Sequence, residues 1–244
     1  MKKILIVIII LLIPNFLFSK NKVLKIYYFE RPPYHYTDKS GRARGIINDK
    51  VKKILKKANI KYSFQSVPVK RIFLLLEENY YACSPGWFKT EERVKKFKYT
   101  LPIFRSKKIK GVFNKNINVE DEVSLKKLFT NNYKLGLISG FNYGPIIEKY
   151  LKIFKPKVIR VTTEPNNLIK MVALRRLDYT FFSYEHIKEF IKLYPDFAKN
   201  LKIVSIKEIK HGIKRYIICS KKVDNKLIEK MNIAIKELNL LNED

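Results

Sequence analysis

The most informative stretch of this chain is Thr90-Glu91-Glu92-Arg93, followed six residues after the arginine by Tyr99-Thr100-Leu101-Pro102. It lies downstream of two other distinctive segments, Arg31-Pro32-Pro33-Tyr34 and Gly45-Ile46-Ile47-Asn48-Asp49. A guanidinium is a planar set of donors that matches a carboxylate through two hydrogen bonds, and it stays protonated in proteins. Arg93 is therefore a candidate for binding an acidic group. The alternative is an arginine on the surface of a Lys/Glu-rich segment.

Strand and helix signals alternate on either side of this block. A β-rich run over 23–29 ends at Pro32-Pro33, because prolines cannot donate to a strand ladder. Apolar residues at helical spacing, with lysines on the other face, predict a helix over about 45–59. Further strands are predicted over 62–67 and 80–83, with a helix over 69–78 between them. This order is typical of a mostly parallel sheet covered by helices.

A second unit repeats the pattern. It has predicted strands over 134–138, 158–161 and 179–182, and predicted helices from Pro145 to about 150, over 166–177 and over 184–193. Residues 109–113 and 203–219 are natural crossings between the units, and the last helix should pack back on the first one. We therefore predict an α/β fold of two lobes with a cleft between them. Lobe 1 would comprise residues 20–108 and 207–244, and lobe 2 residues 109–206.

The first nineteen residues differ from the rest of the chain. Lys2 and Lys3 precede an unbroken apolar run over 4–13, and the segment ends at the small residue Ser19. This pattern predicts a secretory signal peptide over 1–19 and a periplasmic location. The alternative is a membrane anchor, but the run is shorter than the roughly 20 residues that span a bilayer.

The charge of the chain is strongly positive. Lys and Arg number 51 and Asp and Glu 22, which gives a net charge of +29. Such a balance can indicate nucleic-acid binding. The lysines are spread over the whole chain, however, and export would carry the protein away from the chromosome, so we predict no nucleic-acid partner. The positive field favours anionic solutes.

Cysteine and histidine give little direct information on function. Cys83 and Cys219 each lie in an apolar, strand-like stretch, and the sequence leaves open whether they pair or stay as buried thiols. The three histidines lack metal-ligand spacing, so neither a metal nor a cofactor is predicted. The sequence also shows no recognisable catalytic motif.

Taken in order, these motifs resemble solute-binding protein family 3, the secreted type II binding proteins known chiefly for capturing polar amino acids. The segment Tyr28-Phe29-Glu30-Arg31-Pro32-Pro33-Tyr34, followed by Val67, Pro68 and Arg71, is similar to one subgroup of that family. The resemblance implies a two-lobed type II periplasmic binding protein fold. It also implies a monomer that is not an enzyme and that delivers a small solute to an ABC permease.

The resemblance also implies the binding residues. Arg93 would hold a ligand carboxylate, with a weaker claim for Arg71, and aromatic residues would form walls. In lobe 2 a loop at a helix N-terminus would favour an anionic group. For the aromatic residues the alternative is ordinary packing, and for the loop it is a capping turn. The remaining predicted ligand-binding residues are Tyr34, Trp87, Phe88, Thr90, Ser139, Phe141, Asn142, Tyr143, Ser183 and Glu185.

The chain departs from the family pattern where amino acid binders hold the ligand ammonium. They usually carry an aspartate about five residues after a Leu-Asp pair, and counting from Asp178 reaches Ser183 here. Without a carboxylate the ammonium would lose a bond of about 1.5–3 kcal/mol. Unless Glu185 substitutes, the sequence favours another carboxylate-bearing, aromatic or peptide-like solute. Two further classes stay open, namely a sensor input to a membrane receptor and a cleft enzyme that uses Glu185.

Overall fold

The structure is a computed structural model that describes residues 22–241, so the predicted signal peptide lies outside the described residues. Within that range the strands are β1 (Leu24–Tyr28), β2 (Tyr36–Thr37), β3 (Ala43–Arg44), β4 (Tyr62–Ser66), β5 (Ala82–Trp87), β6 (Lys98–Tyr99), β7 (Phe104–Arg105), β8 (Ile109–Asn114), β9 (Glu122–Val123), β10 (Leu135–Ile138), β11 (Val158–Val161), β12 (Tyr179–Ser183), β13 (Leu201–Ile206) and β14 (Lys214–Cys219). The helices in the same range are α1 (Ile46–Lys57), α2 (Val69–Glu77), α3 (Glu91–Lys96), α4 (Leu125–Thr130), α5 (Pro145–Phe154), α6 (Pro165–Ala173), α7 (Tyr184–Leu193), α8 (Pro195–Ala198) and α9 (Asn225–Glu237).

The first lobe is built on a sheet with the order β4-β1-β5-β14-β6, and β7 also pairs with β14. Strands β4, β1 and β5 are parallel because helices α1 and α2 make the crossovers between them. The apolar face of α1, with Val51 and Ile54, packs on the sheet. Met231 and Ile235 of α9 join the same core, which confirms that the last helix packs on the first lobe.

The second lobe is built on a sheet with the order β11-β10-β12-β8-β13-β9. Strands β11, β10 and β12 are parallel, and β8 runs antiparallel between β12 and β13. One core on this sheet centres on Phe113, Tyr179 and Phe181. The other centres on α6 and α7, with Leu168 and Phe190. The fold is thus the predicted pair of helix-flanked α/β lobes.

Two chain segments cross between the sheets, one from β7 to β8 and one from β13 to β14. They lie against each other, since Ser106 N donates to Ile213 O at 3.1 Å and Ile213 N donates to Ser106 Oγ at 3.2 Å. The approach is close at Gly212, where an added Cβ would lie 1.3 Å from the carbonyl oxygen of Ser106. Only glycine fits this contact without a backbone shift.

Some predicted boundaries were wrong. The strand predicted to end at residue 83 continues to Trp87, so Trp87 ends β5 and does not lie in the loop before Thr90. Pro85 and Gly86 lie within β5, and the pairing with β14 shifts its register at a bulge between Tyr216 and Ile217. Helix α6 ends at Ala173, because the chain then turns through Arg175 with a φ of 60°.

Cys83 and Cys219 form a disulfide, which answers the question that the sequence left open. The two residues face each other on the adjacent antiparallel strands β5 and β14. The bond is buried in the core of the first lobe. Among residues 22–241, none of the helices has both the length and the hydrophobicity that a bilayer span requires.

Candidate functional site

A cleft between the two lobes holds the candidate site. Its volume is about 370 Å³, which includes space open to solvent. The first lobe contributes most of its lining, and the loop after β10 contributes the wall from the second lobe. The lining residues are Phe29, Arg31, Val69, Gly86, Trp87, Phe88, Arg93, Gly140, Phe141, Asn142 and Arg215.

Arg93 lies at the first turn of α3, which begins after Thr90. The Thr90 side chain caps this helix by accepting a hydrogen bond from Arg93 N at 3.3 Å. The guanidinium carbon lies 5.1 Å from the ring centres of both Phe73 and Trp87, so aromatic faces orient the charge. Burial lowers the pKa of Arg93, yet the group remains a cation at neutral pH. Its place in the cleft lining fits the predicted carboxylate contact.

Arg215 and Arg31 also line the cleft, and the sequence did not single them out as binding residues. Arg215, on β14, is 5% exposed and donates from Nη1 to Gly86 O at 3.0 Å. Its guanidinium carbon lies 4.4 Å from the ring centre of Phe88. Burial, and then the charge of Arg31, lower the pKa of Arg215 to about 10. Burial also lowers the pKa of Arg31.

Both of these arginines contact the ring of Tyr34. The guanidinium carbon of Arg31 lies 5.3 Å from the ring centre and that of Arg215 lies 5.1 Å from it. The tyrosine itself is 1% exposed and lies behind the cleft, outside the set of residues that line it. Its position supports the arginines through cation–π contacts rather than forming a ligand wall.

Aromatic rings form the apolar part of the cleft. Trp87 donates from Nε1 to Ser84 Oγ at 2.8 Å and packs on Phe73, with ring centres 4.6 Å apart. Phe29 of the first lobe meets Phe141 of the second with ring centres 6.2 Å apart. The cleft therefore combines cations with ring faces, which suits a planar or apolar body that bears acidic groups.

Polar contacts also join the lobes beside the cleft. The hydroxyl of Tyr34 is hydrogen-bonded to the hydroxyl of Ser183, which is buried at the end of β12. His186 donates from Nδ1 to the carbonyl oxygen of Pro32 at 2.9 Å. These bonds connect the Pro-Pro-Tyr segment to the start of α7.

The loop after β10 divides into one part that lines the cleft and one that supports the loop. Phe141 and Asn142 line the cleft, and the Asn142 side chain accepts a hydrogen bond from Gly144 N at 2.8 Å. Tyr143 is buried, and its hydroxyl accepts from Ile138 N at 2.8 Å. Ser139 is half-buried and lies outside the lining.

The structure does not bring the remaining predicted residues into the cleft. Glu185 accepts hydrogen bonds from Lys107 N and, at 3.4 Å, from the Tyr34 hydroxyl, beside the crossing between the lobes. Arg71 is exposed on α2, and Thr90 lines an outer groove that continues from the cleft past Phe88 and Arg93. Among residues 22–241, no cluster of His, Cys, Asp or Glu could hold a metal ion.

The sequence profile of the bacterial extracellular solute-binding proteins, family 3, matches residues 25–241. The chain belongs to this family. Family 3 proteins act outside the cytoplasm and are binding proteins. No curated protein sequence matches the chain significantly.

Solved structures of this family's fold are similar to the chain over most of its length. An ancestral arginine-binding protein bound to arginine has a TM-score of 0.72 and 23% identity, with 89% of this chain and 92% of that chain covered. A structure described for glutathione import in Gram-positive bacteria via GshT and the cystine ABC importer TcyBC of Streptococcus mutans has a TM-score of 0.73 and 20% identity. The match covers 89% of this chain and 88% of that chain. A histidine kinase sensor domain with similarity to periplasmic binding proteins has a TM-score of 0.71 and 17% identity, with 89% of this chain and 90% of that chain covered. The similarity establishes the type II periplasmic binding protein fold.

Proposed function

We propose that this family 3 protein is exported to the periplasm, binds a small carboxylate-bearing solute between its lobes and delivers it to an ABC-type permease without catalysing a reaction. The observation that carries the proposal is the position of Arg93 in the lining of the cleft, oriented by Trp87 and Phe73. Within the described residues no carboxylate lies within ion-pair distance of its guanidinium, so its donors are available to a ligand.

The cleft also has the means to exclude water. Rings from both lobes meet in its lining, and polar contacts join the lobes beside it. A carboxylate bound to an arginine gains strength when water is excluded, because the effective dielectric constant falls. The two crossings give the lobes a place to hinge. Capture by closure is therefore the mode of binding that we propose.

A thermal-shift screen of carboxylates, amino acids and short peptides tests this function. A solute that binds only the folded state raises the melting temperature. We expect at least one carboxylate to stabilise the protein, and the Arg93→Gln variant to weaken its binding by about tenfold or more, because a charge-assisted bond is lost. Arg176→Gln removes the same charge from an exposed position and is the matched control. A screen without any stabilising compound, or equal binding by both variants, would contradict the proposal.

A second function shares the same solute chemistry. The likeness to a histidine kinase sensor domain favours a sensory role, in which the closed form contacts a membrane receptor. Deletion of the gene separates the two roles. Loss of solute uptake supports transport, whereas unchanged uptake with loss of a transcriptional response supports sensing.

A further inference from the structure

We infer that the solute of this cleft carries two acidic groups, as a small dicarboxylate does. The inference rests on the proposed function and specifies the chemical class of its ligand. It follows from the balance of charge in the cleft, from the unused donors of the arginines and from the position of the nearest carboxylate.

The lining of the cleft carries three positive charges, from Arg31, Arg93 and Arg215, and it includes no Asp or Glu. Arg31 and Arg215, the two inner arginines, lie near enough to each other that the charge of Arg31 lowers the pKa of Arg215. Like charges held together in a partly dry site raise the energy of the closed form unless an anion lies between them. The cleft is therefore organised for more than one negative charge.

The inner arginines have donors that the protein leaves unused. The Nε atoms of Arg31 and Arg215 are buried and without a hydrogen-bond partner in the described part of the chain. Among those residues no Asp or Glu forms an ion pair with either arginine or with Arg93. Buried donors normally find a partner, so these groups fit the acceptor oxygens of a ligand.

Glu185 is the acidic residue that interacts with the inner arginines electrostatically. Its two oxygens accept hydrogen bonds from Lys107 N and from the Tyr34 hydroxyl, and the residue lies outside the cleft lining. Glu92 interacts with Arg93, but its exposed side chain pairs with Lys96. With Glu185 counted, two positive charges of the cleft therefore remain uncompensated. A zwitterionic amino acid has no net charge, so it would leave both of these positive charges uncompensated. Its ammonium would also enter a site without a carboxylate partner. A dianion compensates both.

Matched pairs of compounds test the inference by calorimetry on the mature protein. Each dicarboxylate, from succinate to adipate together with phthalate, is paired with its monoamide, which keeps the shape and removes one charge. We expect the best dicarboxylate to bind about tenfold or more tightly than its monoamide, as loss of one charge-assisted contact predicts. The amino acids glutamine and arginine are included as zwitterionic and cationic comparisons.

Variants connect the preference to the inner arginines. Arg31→Gln should reduce the preference for dicarboxylate over monoamide to about twofold or less, and Arg215→Gln should do the same if it folds. Because Arg31 is only half-buried, its variant keeps the test valid when Arg215→Gln is unstable. Arg176→Gln should keep the full preference.

The outcomes separate this inference from the proposed function. If a monocarboxylate, a monoamide or an amino acid binds best, the inference is overturned and capture of a carboxylate solute stands. If Arg31→Gln keeps the full preference, the inference is also overturned. If no compound of any class binds, the proposed function fails and the inference fails with it.

Discussion

The hydroxyl groups of Tyr34 and Ser183 are hydrogen-bonded to each other across the two lobes, although 149 residues separate them in the sequence. Both side chains are buried. Because the bond needs the lobes to be together, it stabilises the closed arrangement selectively.

Removal of the Tyr34 hydroxyl should therefore favour opening. We expect Tyr34→Phe to weaken solute binding by about two- to tenfold, since a neutral hydrogen bond contributes about 0.5–1.5 kcal/mol. Small-angle scattering should show a larger radius of gyration for the variant. Tyr36→Phe removes a hydroxyl with no partner among the described residues and is the control. Additive effects of Tyr34→Phe and Ser183→Ala would show that the two groups are not coupled.

Two buried histidines should make the stability depend on pH. Burial lowers the pKa values of His35 and His186 to about 3, so both are neutral when folded and take up protons near pH 6.5 when unfolded. The unfolded chain therefore binds more protons between pH 6.5 and 3, and the free energy of unfolding falls as the pH falls through that range. Each histidine contributes a slope approaching about 1.4 kcal/mol per pH unit.

Urea unfolding between pH 7 and 4 measures this slope. His186→Gln keeps a donor for the carbonyl oxygen of Pro32 and should make the slope shallower. His211→Gln makes the same substitution at an exposed position and is the control. An identical slope in all three proteins would attribute the acid sensitivity to carboxylates instead.

The contact at Gly212 should make the crossings intolerant of a side chain. In Gly212→Ala the new methyl would overlap the carbonyl oxygen of Ser106, so the two segments must move apart. We expect a loss of about 1–3 kcal/mol in the free energy of unfolding, together with weaker solute binding. Gly41→Ala is the comparison, because a Cβ there meets nothing within 4 Å and only its φ of 76° is strained. If Gly212→Ala changed neither the free energy of unfolding nor solute binding, the two crossing segments would be able to move apart without cost.

The disulfide between Cys83 and Cys219 should stabilise the protein substantially. The double variant Cys83→Ser/Cys219→Ser should lose about 2–5 kcal/mol, which corresponds to roughly 5–15 °C in melting temperature. Calorimetry with and without reductant measures the effect. The wild type should be sensitive to reductant and the double variant insensitive, and equal melting temperatures would contradict a structural role for the bond.

The sequence predicted the order of elements well because strong periodicity and prolines mark most of them. It could not assign Arg215 to the cleft. In the sequence this residue simply follows another basic residue, Lys214, and only the pairing of β14 with β5 places it beside Gly86 and Phe88. Arg31 had a local signal, since it begins the Pro-Pro-Tyr segment, but nothing local shows that it shares the ring of Tyr34 with Arg215.

Tyr34 and Glu185 illustrate the opposite case. Their motif positions predicted ligand contact, and both lie close to the cleft but bond to the protein itself. Such roles depend on which lobe each residue meets when the chain closes. A single sequence does not show which residues of the two lobes come into contact.

The bond between β5 and β14 has a consequence for the whole architecture, because its two cysteines bracket every residue of the second sheet. A protease that cuts one peptide bond in that sheet or its loops would leave both fragments covalently joined through the first lobe. The nicked protein would keep its full mass on a gel until a reductant released the pieces. A single cut in the second lobe would therefore not separate the protein into two pieces.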